Sequence, residues 1–176
     1  MKLSKTLRKF DSAISELFKN DYDLIERKLS ERSIAHKLGV YLTKRFKNFH
    51  VDCEYNGDIE NKNGFRKNLR LDTEEMKSLA VRKINELETY SVFPDIIIHT
   101  RKKNDNNHLV IEVKKKDNNS KEKEFDILKL QAFTKQYGYR LGIYLELKTG
   151  KDCEVSEVKY FQDGKEVEKT KLKELK

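Results

Sequence analysis

The segment SVFPDIIIHTRKKNDNNHLVIEVKKK, Ser91 to Lys116, gathers the residues of this chain best suited to chemistry. Pro94 is the only proline and directly precedes Asp95, and a second apolar run closes on Glu112, Val113 and Lys114. Side chains alternate faces along a strand, so Glu112 and Lys114 share one face while Ile111 and Val113 share the other. With a hairpin turn centred near residues 103 to 105, Asp95 falls opposite a residue between about 111 and 115. Three ionisable groups then crowd one end of two apolar strands. Burying them beside Ile96, Ile97, Ile98, Val110 and Ile111 is costly without a compensating charge or metal. Mg2+ prefers hard oxygen ligands and keeps several waters, which suits Asp95, Glu112 and the backbone carbonyl of Val113, with Mn2+ as a substitute. Lys114 would stabilise developing negative charge or orient an attacking water.

These groups need a scaffold. Leu7, Phe10, Ile14, Leu17 and Phe18 line one face of a helix over residues 6 to about 19. A second helix runs from about Ser30 to Phe46, with Ser30 as N-cap and Glu31 in its first turn. Phe49, Val51, Cys53 and Tyr55 alternate with polar residues as a half-buried strand, which Asn56-Gly57 ends. Residues 57 to 72 read as a polar loop, and Asp72 to Thr89 as a helix. Two strands follow, Val92 to about Thr100 and His108 to about Lys115, joined as a hairpin. A helix from Glu124 to Tyr137 closes at Gly138, then come strands Arg140 to Leu147 and Val155 to Phe161, the latter ending at the Asp163-Gly164 turn. The expected fold is α/β: a mixed central sheet flanked by helices, in the order ααβαββαββ. Residues 1–176 read as one domain, with a charged C-terminal tail from about 165 that is a short strand or frayed.

Composition sets the outer limits. Charged residues make up 39% and apolar residues 36%, and the 10% aromatic content argues for a folded chain with a charged surface. A net charge of +8 suits an anionic partner, nucleic acid first, and also suits a merely lysine-rich surface. Cys53 and Cys153 lack the spacing of a zinc site or a disulfide scaffold. No apolar stretch approaches membrane-spanning length and no signal core follows the basic start, which points to a cytoplasmic protein without a membrane partner. No GxxxxGK[ST] or dinucleotide fingerprint is present.

Pro94-Asp95 followed, seventeen residues after Asp95, by Glu112-Val113-Lys114 resembles the PD-(D/E)xK signature of the restriction-endonuclease-like nuclease superfamily. ERSIAHKL (Glu31 to Leu38), VDCEYN (Val51 to Asn56) and Asp126 with Lys129 and Leu130 extend the likeness to small bacterial members, over roughly residues 25 to 147. The resemblance implies a restriction-endonuclease-like core and Mg2+-dependent hydrolysis of phosphodiester bonds in DNA, by an endonuclease rather than an exonuclease. It implies that Glu31 joins Asp95, Glu112 and Val113 at the metal, with Lys114 catalytic. It places Asp126, Lys129 and Gln131 near the ligands or the substrate, where helix capping and a solvated face would explain the same letters. By their spacing alone, Glu112 and Lys114 also suit an edge-strand ion pair.

Glu54, beside Asp52 on the first strand, is open between a role at the metal and an exposed carboxylate. Lys62, Arg66, Lys67 and Arg70 are open between gripping phosphates and a solvated basic loop. His36 and His99 read as surface or satisfied histidines. A non-catalytic nucleic-acid-binding or protein-interaction module on the same fold is the alternative, and a branched-junction or RNA-processing enzyme would use the same site. Cutting both strands of a duplex with one small domain favours a homodimer.

Overall fold

The computed structural model describes residues 1–55, 57, 68–70, 89–91, 93–102, 106–116 and 120–174. Lys62, Arg66 and Lys67, residues 72 to 88 of the expected third helix, and the hairpin turn at 103–105 lie outside them. The described helices are α1 (Leu3–Asn20), α2 (Tyr22–Glu26), α3 (Glu31–Arg45), α4 (Ser120–Gln136) and α5 (Lys169–Glu174). The strands are β1 (His50–Cys53), β2 (Asn68–Arg70), β3 (Thr89–Ser91), β4 (Ile96–His99), β5 (Leu109–Lys115), β6 (Gly142–Lys148), β7 (Glu154–Gln162) and β8 (Lys165–Val167). Six strands form one mixed sheet in the order β1-β4-β5-β6-β7-β8, and β2 pairs with β3 separately. Only β5 and β6 run parallel within the large sheet, joined by α4 as a crossover.

Each face of the sheet carries its own apolar layer. Leu7, Phe10 and Leu17 of α1 and Ile34, Leu38 and Leu42 of α3 pack with Ile96, Ile98, Leu109, Ile111 and Val113. On the opposite face, Leu130 and Phe133 of α4 meet Ile97, Val110, Tyr144 and Phe161. All three isoleucines of β4 are fully buried, which is why its sequence is continuously apolar rather than alternating. Each such side chain contributes about 1.5–3 kcal/mol through burial.

Four places depart from the expected boundaries. The strand read from Val92 begins at Ile96, because Asp95 turns its carbonyl to the Glu54 N–H at 3.1 Å and its side chain toward β5. Residues 68 to 70, read as loop, form β2 against β3. Tyr22–Glu26 forms α2, held by the burial of Ile25. The charged tail read from about 165 forms β8 and α5, anchored by buried Leu172. Between β7 and β8, Asp163 and Gly164 both adopt positive φ, 48° and 78°, the geometry a tight hairpin requires.

His108, just before β5, is buried against Phe49, stacked at 4.7 Å between ring centroids, and shares a 2.8 Å hydrogen bond with Thr6 Oγ1. Burial, then the nearby charges of Arg140, the N-terminus and Lys9, push its imidazole down to about 4 from an ordinary 6.5. Below pH 6.5 the unfolded chain binds a proton that the folded chain refuses. Stability from the neutral ring is therefore complete above that pH and is lost progressively toward pH 4, by about 3 kcal/mol in all. His108→Gln is expected to flatten the acid limb of the urea-midpoint profile; an equally steep limb would assign it to other groups.

Candidate active site

The register Ile96↔Ile111 and Ile97↔Val110, carried one step on, sets Asp95 opposite Glu112. Both side chains project toward the α4 face, the face of Ile97 and Val110. Oδ2 of Asp95 accepts the Val113 N–H at 2.7 Å, which fixes the carboxylate against β5. From the other face, Glu31 in the first turn of α3 reaches the same strand end. Its Oε1 accepts the Lys115 N–H at 2.8 Å and its Oε2 lies 3.4 Å from Lys114 Nζ. Glu31 holds that position because Ser30 caps the helix, its Oγ accepting the Ser33 N–H at 3.2 Å.

α4 supplies two further buried charges, and its more exposed Glu122 lies 3.5 Å from Lys114. Asp126 and Lys129 are three residues apart on one helix face, their side chains 3.0 Å apart. Lys129 Nζ also donates to Glu112 Oε2 at 2.9 Å, and Lys114 Nζ lies 3.3 Å from Asp126 Oδ2. Asp126 thus bridges two ammonium groups. The structure brings Glu31, Asp95, Glu112 and Lys114 together with Asp126 and Lys129, while Val113 contributes its amide N–H to Asp95. Gln131, two residues past Lys129, points to another side of α4, and its carbonyl accepts the Thr134 hydroxyl at 2.9 Å.

Electrostatics follow burial. Glu112 is 1% exposed, and desolvation drives its carboxyl well above the ordinary range, with the carboxylates of Asp95 and Asp126 adding to the effect and Lys129 opposing it. Burial likewise raises Asp95 against the Val113 hydrogen bond. Burial opposes the charge of Lys129 and Lys114, but Glu112 and Asp126 outweigh it at the first, and Asp126 and Glu31 at the second, so both stay protonated. Glu112 Oε1 is buried without a hydrogen-bond partner.

The remaining candidates sit elsewhere. Glu54, at φ 50°, turns its carboxylate out to an exposed ion pair with Arg32 at 2.6 Å. His99 is buried and satisfied by Asp52 Oδ2 at 2.9 Å, and Asp52 also holds Arg101. His36 is exposed. Arg70 belongs to β2. Beyond the expected residues, Glu146 of β6 lies on the α4 face, pairs in register with Lys114, and joins Lys123 at 3.4 Å and Tyr144 at 3.3 Å. A carboxylate inside the run GIYLELK was the available signal, and only the parallel register puts it beside Lys114.

Whether these residues suit a divalent cation turns on their charge and on the orphaned oxygen. Glu31, Asp95, Glu112 and Asp126, with the more exposed Glu122 at 3.5 Å from Lys114, outnumber Lys114 and Lys129, an excess of negative charge that a divalent ion would offset. The donors are hard carboxylate oxygens, and Glu112 Oε1 offers a buried one that nothing else uses. Among the described residues no three acidic, histidine or cysteine side chains are grouped so as to hold a metal ion, and Lys114 and Lys129 are paired with the carboxylates. No described helix is long and apolar enough to cross a membrane. No family model, curated protein or solved structure matches the chain.

Proposed function

We propose that this chain is a metal-dependent nuclease of the PD-(D/E)xK type that hydrolyses phosphodiester bonds in DNA. The observation that carries the reading is the meeting of Glu31, Asp95, Glu112 and Lys114, from three separate elements, at one end of β5, with one Glu112 oxygen left unpartnered. Asp95 and Glu112 would hold Mg2+, with the Val113 carbonyl and Glu31 as further oxygen donors. When bound, the ion supplies Lewis acidity and lowers the pKa of water.

The chain's own residues do the rest. Asp95 is oriented by the Val113 N–H before substrate arrives, so its carboxylate needs little reorganisation. Lys114 stays charged between Glu31 and Asp126, which positions an ammonium to orient a water or to face a phosphate oxygen. The net charge of +8 favours encounter with the polyanion despite the local acidity.

The test is a panel of labelled duplex, single-stranded and branched DNA and RNA, incubated with Mg2+ or Mn2+. Cleavage of DNA by the unmodified protein, lost on chelation and in Asp95→Ala, is the expected result. Retention of DNA without cutting in either metal, surviving Asp95→Ala, would instead establish a non-catalytic binding module. Selective cutting of branched DNA or of RNA would reassign the substrate and keep the site.

A further inference from the structure

Resting on the metal site just proposed, we propose that Lys129 fills a second cation position, between Glu112 and Asp126, and limits the site to one divalent ion. Its ammonium stands 2.9 Å from Glu112 Oε2 and 3.0 Å from Asp126 Oδ1, between two carboxylates on different elements. Lys129, Glu112 and Asp126 are 8%, 1% and 4% exposed, so no solvent ion neutralises them. The aromatic ring of Phe125, 5.7 Å from Nζ, adds a cation–π contact on a helix already fixed by Leu130 and Phe133.

Two features separate this from an ordinary buried ion pair. Asp126 presents its second oxygen to Lys114 at 3.3 Å, so it bridges two cationic groups as a carboxylate bridges two metal ions. Glu112 keeps Oε1 unpartnered although Oε2 has its ammonium, which leaves one oxygen of that residue for a further cation. Without Lys129, Glu112 and Asp126 would lose the cation between them, and the excess negative charge of the cluster would grow by one.

Mn2+ titration followed by electron paramagnetic resonance counts the ions directly. The unmodified protein is expected to take up one Mn2+ per chain. Lys129→Gln is expected to take up one more, or to hold its ion about tenfold more tightly, because a buried positive charge next to the ligands is gone. An identical count and affinity in the two proteins overturns the inference. No Mn2+ on the unmodified protein but one on Lys129→Gln would overturn the metal reading above and leave the role of Lys129 standing. If Lys129→Gln is unfolded without metal, refolding by Mn2+ but not by K+ at matched ionic strength supports the same conclusion. Absence of that rescue overturns it.

Discussion

Asp95→Asn is expected to lower Mg2+-dependent cleavage on the order of 10³-fold while leaving the protein as stable as before, or more so. Asparagine has the shape of aspartate, and its amide oxygen can accept the Val113 N–H that Asp95 Oδ2 accepts at 2.7 Å. What is lost is the charge. Burial already holds the Asp95 carboxyl above its ordinary range, so the folded protein binds its proton more readily than the unfolded chain. Stability is therefore lost as pH rises from the ordinary carboxyl value through the folded one, and a neutral side chain removes that loss. Urea midpoints at pH 7 should be equal or higher in the variant, alongside near-complete loss of cutting. Inactivity accompanied by unfolding would reduce Asp95 to a structural residue, and undiminished cutting would remove it from the mechanism.

The strands that carry these groups were legible because local chemistry and global position agree. Pro94 cannot donate to a ladder, the three isoleucines after Asp95 require burial on both faces, and Asp163-Gly164 demands a tight turn; the structure has each feature there. Ser30 and Glu31 were readable as cap and first turn for the same reason. The resemblance placed Lys129 near the ligands or the substrate, but its pairing with Glu112 was not readable. An acid and a lysine three apart on a helix most often face water, and only the packing of α4 on Tyr144 and Phe161, both later in the chain, buries this pair against Glu112. Glu146 was hidden likewise, since its neighbour Lys114 is set by a parallel register that no short-range pattern encodes. α5, in KTKLKE, has one buried apolar residue, Leu172, too few to show a period.

Lys129→Met should destabilise the protein by about 3–5 kcal/mol at pH 7, the range for removing one partner of a buried ion pair. Methionine matches the stem of lysine and keeps the packing beside Leu130 and Phe133, so the loss is electrostatic. It leaves Glu112 and Asp126, both buried, facing each other's charge without the ammonium that now joins them at 2.9 and 3.0 Å. The loss should depend on pH in a defined direction. Burial already raises the Glu112 carboxyl well above its ordinary range, and removing Lys129, which pulls it down, raises it further. The folded variant then binds a proton that the unfolded chain releases above about pH 4.5, so its stability rises as pH falls from neutral toward that value. Urea melts at pH 7 and pH 5 should show the gap to the unmodified protein narrowing at the lower pH. A gap that is the same at both would mean that the methionine disturbs packing and that Lys129 is not the counter-charge of Glu112. A narrowing gap would mean that the protein meets the cost of the buried Glu112 carboxylate with a lysine from the following helix, independently of any catalysis.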